Sequence, residues 1–556
     1  MSGHRKTAKA SLEAMYRIFT VPEAPDSALS RIDQNISRNL TGFLQDHIVA
    51  IEREMGEMER DFADPHVPEK PIFVSEQAQF LLDKLVSQSV HTASPSFVGH
   101  MTSALPYFML PLSKIMIALN QNLVKTETSK AFTPLERQVL GMLHNVVYAN
   151  DDAWYKDWMH DPHYALGAMC SGGTIANLTA LWVARNRAFP AEGGFRGIHQ
   201  EGLFRALRFY GHEGAAILVS RRGHYSLSKA ADVLGLGRDF LIPIETDDSN
   251  RIDPDALRDK CLDLQQQKIN IMSIVGIAGT TETGHVDPLD TMADIAKEFR
   301  AHFHVDAAWG GPTLFSRRHR HLLRGIERAD SVTIDAHKQL FTPQGAGIVL
   351  FRDPTVVTAI EHHAQYIIRK GSKDLGSTTL EGSRPGMAML IHSGLRIIGR
   401  EGYEILIDQG VDKARDFAEM IEQHGDFELI SEPELNILTY RFCPARTRQA
   451  LEKADRAQCE RINASLNRIT KFIQKTQRER GKSFVSRTRL EPARYHHNPC
   501  IVFRVVLANP LTTHQILSDM LSEQHAIAGE PAIAAERNAL DAEVSAVLAS
   551  EGLTGS

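Results

Sequence analysis

An α/β fold with a mainly parallel central sheet, followed by a smaller α+β domain, is the architecture that this sequence predicts. Three observations predict it. Between about residues 111 and 400, short β-branched segments alternate with helical stretches: AAILVS, INIMSIVGIAG, HFHVDAA, SVTID and GAGIVLF. Several are near-continuous apolar runs, as strands buried on both faces are, and strand–helix alternation over this length implies a mainly parallel sheet. From about residue 401 the pattern becomes two strand regions, FELISEPELNILTYRF and NPCIVFRVVL, around a long helical stretch. Finally, 556 residues are too many for one hydrophobic core, so two or three domains are expected.

Taken in chain order, residues 1–110 read as mostly helical. ALSRIDQNISRNLTGFLQDHIVAIEREMGEMER and SEQAQFLLDKLVSQSV carry helical spacing. The proline-containing ADPHVPEKP and ASPSFVGHMTSALP separate and follow them. Residues 111–400 form the large α/β domain and residues 401–556 the small one. The Lys- and Arg-rich stretch from Lys471 to Arg489 reads as a solvated helix face and loop. AIAAERNALDAEVSAVLAS reads as a terminal helix.

Composition narrows the function. A net charge of −6 offers no broad basic surface, so nucleic acid is not the expected partner. Cys170, Cys261, Cys443, Cys459 and Cys500 are scattered without a CxxC pair, which argues against a disulfide framework or a metal site and fits a reducing compartment. The N-terminal stretch has no apolar signal region, and the longest apolar runs are far shorter than a membrane span. A cytoplasmic protein that does not engage a membrane is expected.

Five features inside the α/β region carry chemistry. Ser171, Gly172, Gly173 and Thr174 form a small-residue turn opening a helix that runs to about Asn186. Free N–H groups and the positive dipole end there suit a phosphate, although Ser-Gly-Gly-Thr alone also reads as a plain N-cap. His224 follows the strand AAILVS, where it is either a structural histidine or a ring that stacks on a flat cofactor. Thr280 and Thr281 follow a buried strand and supply a hydroxyl at its carboxyl end or merely a turn. Asp306 ends the apolar strand of HVDAAWGG, a costly place for an unpaired carboxylate. The alanines after it, Ala308 among them, leave room for a planar ring. Lys338 follows the strand SVTID, and strand ends are where sheets of this class bind ligands.

Together these features fit pyridoxal 5′-phosphate. That cofactor needs an amine for covalent attachment, an acid partner for its pyridine nitrogen, a phosphate cup and flat neighbours above and below the ring. Lys338 supplies the amine. Asp306 keeps the pyridine nitrogen protonated, so that the ring accepts electrons from Cα.

HVDAAWGG, RHLLRGIERADSVT and the His337–Lys338 pair resemble the signature of the group II pyridoxal-phosphate decarboxylases, over roughly residues 90–515. The resemblance implies the aspartate-aminotransferase-like fold type I and a homodimer with its active site at the subunit interface, the N-terminal segment forming the dimer. It implies stacking by His224, pyridine-nitrogen binding by Asp306, covalent attachment at Lys338 and phosphate contact by His337. One departure is DAHK, where many members have NPHK, which places Asp335 outside the pattern. HHAQYIIRKGSKDLG matches the family's mobile catalytic loop and makes Tyr366 the proton donor to Cα; a surface tyrosine is the alternative. IVFRVVLANP resembles the strand whose arginine grips a substrate side-chain carboxylate, here Arg504, with a structural ion pair as the alternative. SPSFVGHMTS matches a substrate-facing segment and brings in His100.

The N-terminal YRIFTVPEAPDSALSRIDQNISRNLTGFLQDHIVAIE resembles the bacterial branch that decarboxylates aspartate to β-alanine for pantothenate. The expected substrate is thus a small acidic amino acid, with glutamate or cysteine sulfinate as alternatives. One methylene is worth only ~1–3 kcal/mol of discrimination. A carbon–carbon lyase of the same fold is a remoter reading, since GSRPG also occurs in such lyases, and the intact Lys338, Asp306 and His224 speak against a non-enzymatic scaffold.

Overall fold

The computed structural model describes residues 30, 31, 33, 34, 54–364, 368 and 372–550. Seven strands make the large sheet: β1 Gly167–Cys170, β2 Gly214–Ser220, β3 Leu241–Ile244, β4 Ile269–Ile277, β5 His302–Asp306, β6 Ser331–Asp335 and β7 Gly347–Phe351. They lie in the order β1-β7-β6-β5-β4-β2-β3. From β3 to β6 every pairing is parallel. β7 runs antiparallel to both its neighbours, β6 and β1. It must reverse because residues 336–346, which join it to β6, are too few for the crossover that parallel neighbours need. The four-residue strands β1 and β3 were not foreseen, being too short to show a period.

Alternate residues of these strands feed cores on opposite faces. Ile274, Ile348 and Leu350 pack with the helices Phe132–Tyr148, Pro254–Gln266 and Leu289–Glu298. Val275 and Ile277 pack with the helices Gly173–Ala188 and Ser226–Val233 on the other face. Helices on both faces explain why the central strands are buried along nearly their whole length.

The second sheet is antiparallel, ordered β10-β11-β9-β8, with β8 Phe427–Ser431, β9 Ile437–Phe442, β10 Ser486–Leu490 and β11 Cys500–Val506. The helix Arg456–Arg480 covers it through Ile462 and Leu466 against Leu438 and Phe503. The basic stretch is therefore not only helix face and loop. Its last residues join edge strand β10, where Arg487 and Arg489 alternate outward. Their charge masks the pleat's period in the sequence and protects an exposed edge.

The N-terminal region contributes the helices Met55–Asp61, Val74–Lys84 and Met109–Leu119; the helices expected further upstream lie almost wholly outside the described residues. Residues 96–100 are strapped to the second sheet. Val98 N–H donates to Phe484 O at 3.0 Å, and Val506 N–H donates to Val98 O at 2.7 Å. A Cβ on Gly99 would stand 2.5 Å from the Ser486 nitrogen, so only glycine permits this approach. All five cysteines are buried free thiols. Among the described residues, no helix is long and apolar enough to cross a membrane.

Four buried histidines tie this fold to pH. Burial holds His302 down to about 3, and His144, His285 and His304 down to about 4. As pH falls below their usual value near 6.5, the unfolded chain takes up protons that the folded chain refuses. This contribution to stability is thus complete above about pH 6.5 and is lost as pH falls toward 4, at up to ~1.4 kcal/mol per histidine per pH unit. Thermal unfolding followed by circular dichroism should show a midpoint level above pH 7 and falling steeply between pH 6.5 and 4.5. A midpoint unchanged across that interval would contradict the assignment.

Candidate active site

A cavity of about 420 Å³ opens at the carboxyl ends of the parallel strands. β2 ends at Ser220, and a turn closed by Gly223 N–H donating to Ser220 O at 2.7 Å throws Arg222 and His224 forward into it. β5 delivers Asp306 and, just beyond, Ala308; β6 delivers Asp335, His337 and Lys338. Ser171 to Thr174 bring in the start of the sixteen-residue helix Gly173–Ala188. β11 adds Arg504, and the strapped N-terminal segment adds His100.

Behind the cavity a chain of hydrogen bonds sets the proton on each ring. Ser331 Oγ lies 2.7 Å from His302 Nε2 and 2.8 Å from His304 Nδ1. His304 Nε2 lies 3.1 Å from Asn177 Oδ1, which can only accept, so Nε2 carries the hydrogen. His304 Nδ1 must then accept the Ser331 hydroxyl proton, and His302 Nε2 donates to Ser331. The Asn177 amide in turn donates to Asp306 Oδ2 at 2.8 Å and to Ser226 Oγ at 3.1 Å. The Ser226 hydroxyl donates to His224 Nδ1 at 2.9 Å, and its backbone N–H also points there at 3.3 Å. His224 is therefore held as the Nε2–H tautomer. Burial lowers its pKa, as does Lys338, against the opposing field of Asp306. Asp306, 7% exposed, accepts a second bond from Ala308 N–H at 3.1 Å.

The amine stands over another carboxylate. Lys338 Nζ is 3.2 Å and His337 Nε2 is 3.6 Å from Asp335 Oδ2. The other Asp335 oxygen is buried without a hydrogen-bond partner. A Cβ on Gly173 would meet Asp335 Oδ2 at 2.8 Å, so the glycine lets the helix start sit directly on this group. The aspartate of DAHK is thus part of the site and holds Lys338 in place.

Arg504 is the cavity's barest cation. It is 8% exposed, and its Nη1 makes only long contacts, 3.4 Å to Gly99 O and 3.3 Å to Ser486 Oγ. Its Nε is buried without a partner, and no described carboxylate stands within ion-pair distance. Burial pushes its pKa down to about 10, opposed by Glu282. A guanidinium so placed calls for an anion from solution.

Of the residues read from sequence, His100, Ser171, Gly172, Gly173, Thr174, His224, Asp306, Ala308, His337, Lys338 and Arg504 all line this cavity. Thr280 does not. It is fully buried with its hydroxyl bonded to Thr283 at 2.8 Å, and Thr281 lines the cavity instead. The positive φ of Gly279, 92°, turns the chain so that the second threonine faces forward. Tyr366 lies outside the described residues. Asn177, Arg222 and Asp335 were missed as site residues. Helical phase from the Ser-Gly-Gly-Thr turn would have found Asn177, one turn in from Gly173.

These groups fit pyridoxal phosphate: an amine, a buried acid aimed into the cavity, a ring of fixed tautomer, and a glycine-rich helix start for the phosphate. The comparisons agree. Residues 57–443 match the pyridoxal-dependent decarboxylase conserved domain. An aspartate 1-decarboxylase of Aliivibrio fischeri is 61% identical over 528 residues, 95% of this chain and 96% of that protein. The cysteine sulfinic acid decarboxylase of Mus musculus is 29% identical, covering 79% of this chain and 83% of its own. The crystal structure of mouse CSAD superposes with a TM-score of 0.75 at 25% identity, over 89% of this chain and 98% of that one. The chain belongs to the pyridoxal-dependent decarboxylase family, and is a pyridoxal-phosphate-dependent carboxy-lyase of fold type I.

Proposed function

We propose that the enzyme removes the α-carboxylate of L-aspartate to give β-alanine and carbon dioxide, supplying a precursor of pantothenate. The observation that carries the acidic substrate is Arg504, a buried guanidinium without a carboxylate partner in the same cavity as Lys338 and Asp306. The 61% identity to an aspartate 1-decarboxylase supports aspartate in particular.

Bound pyridoxal phosphate supplies an electron sink for the pair that carbon dioxide leaves on Cα. The chain does the rest. Lys338 would hold the cofactor through its amine, and Ser171 to Thr174 with His337 would hold its phosphate. Asp306, steadied by Asn177 and the Ala308 N–H, keeps a proton on the pyridine nitrogen. His224, its Nδ1 occupied by Ser226, would pack against the ring. Arg504 would grip the retained carboxylate by its planar fork and so orient the carboxylate that leaves. Tyr366 protonates Cα. His100 borders the substrate, and burial with the nearby Arg504 and Lys338 lowers its pKa, favouring a neutral ring.

The same reading makes the enzyme a cytoplasmic homodimer with a shared site, divided near residues 110 and 400. Apolar side chains left exposed along the N-terminal elements support such a dimer, among them Phe73, Leu85, Tyr107 and Ile117.

Competition between aspartate, glutamate and cysteine sulfinate, with products separated by chromatography, tests the substrate. β-Alanine should dominate, and 4-aminobutanoate as the main product would overturn aspartate. Arg504→Met should spare cofactor absorbance while kcat/KM for aspartate falls on the order of 10²–10³-fold, the cost of an unpaired buried charge interaction. Retained preference for acidic over neutral amino acids in this variant would refute the role of Arg504.

A further inference from the structure

Arg504 is not the only arginine facing the cavity. Arg222 lines it from the carboxyl end of β2, with its side chain 9% exposed. Its one ion pair is weak and shared. Arg222 Nη2 lies 3.3 Å from Glu491 Oε2, while the same carboxylate takes Arg489 at 3.0 Å and Arg221 at 3.9 Å. Arg221 has its own partner in Glu245 at 2.9 Å, so the single charge of Glu491 is divided chiefly between Arg489 and Arg222 and leaves Arg222 only partly compensated. Its Nε, like that of Arg504, is buried without a hydrogen-bond partner.

Both arginines act on Glu282, one of whose oxygens is buried and unbonded. Burial raises its pKa, and the fields of Arg222 and Arg504 both oppose that rise. Among the charged side chains that line the cavity, Arg222, Arg504 and Lys338 outnumber Asp306 and Asp335. This balance favours entry of a further anion.

We propose that Arg222 is a second specificity-determining residue, whose guanidinium joins Arg504 in taking the side-chain carboxylate of a dicarboxylic amino acid. The inference rests on the acidic-substrate reading given above. It differs from that reading in assigning the recognition to two cations from different sheets, one on the β2 turn and one on β11. Two guanidiniums on one carboxylate hold it more firmly than a single fork does.

The test uses the holoenzyme, steady-state kinetics with aspartate, and inhibition by succinate, which carries the two carboxylates but no amine. Arg222→Gln should raise KM for aspartate and Ki for succinate together by about tenfold or more, the scale of one charge-assisted hydrogen bond. Its kcat should stay within about threefold and its cofactor absorbance should be unchanged. Arg222→Lys, which keeps the charge, should recover part of the loss. Glu491→Gln frees Arg222 from its shared partner and should leave KM in place or lower it. A purely structural Arg222–Glu491 pair predicts the opposite, with KM rising in both variants, and that result would overturn the proposal. So would an unchanged KM and Ki in Arg222→Gln. Failure of the wild-type holoenzyme to decarboxylate any acidic amino acid would instead sink the underlying substrate reading.

Discussion

Replacing Lys338 by alanine is expected to lower turnover on the order of 10⁴-fold, because the covalent anchor and the amine that exchanges with substrate disappear together. The variant should still fold. Lys338 is partly exposed at the cavity, and its removal leaves Asp335 with the neighbouring His337 Nε2 at 3.6 Å. Borohydride treatment of the wild-type holoenzyme, followed by peptide mass spectrometry, should find the reduced cofactor on Lys338. Label on another lysine would refute the attachment site. In the alanine variant no peptide should carry it.

Asp306→Asn should reduce turnover on the order of 10³-fold while leaving cofactor binding largely in place. The substitution is nearly isosteric but removes the charge that keeps the pyridine nitrogen protonated. It also disturbs the network, since Asn177 and Ala308 N–H both donate to this side chain and an amide offers one acceptor where the carboxylate offers two. The cofactor should be retained through the phosphate end, at Ser171 to Thr174, and visible absorbance would record it. Near-normal turnover would refute the assigned role. Cofactor loss with turnover restored by excess pyridoxal phosphate would show that Asp306 serves affinity rather than electron withdrawal.

Much of this site was legible because its residues sit where the chain pattern changes. Asp306 and Lys338 follow apolar strands, and such an ionisable group is expensive unless used. The Ser-Gly-Gly-Thr turn announces a helix start, and β5 and β6 are short, fully buried strands whose Phe303, Val305, Val332 and Ile334 mark them in the sequence. By contrast β1, β3 and β10 were illegible, two being four residues long and the third masked by arginines. Thr280 and Thr281 could not be told apart, because the turn at Gly279 decides which hydroxyl faces the cavity.

The sequence by itself determined the cofactor, since an amine, an acid, a glycine-rich helix start and an aromatic ring, each at a strand or helix end, fit pyridoxal phosphate, and the reaction class followed from the resemblance of its motifs to the group II decarboxylases. Tertiary structure alone decided how those groups are held and what else joins them. His302, Ser331, His304 and Asn177 come from three separate elements, yet one run of hydrogen bonds through them sets both Asp306 and the tautomer of His224. Arg222 and Arg504 stand 282 positions apart in the chain, 504 − 222, and face one cavity because the second sheet docks against the carboxyl ends of the first. Spacing along a chain reports local periodicity, whereas the partner of a buried charge is chosen by which surfaces pack together, and packing has no local signature.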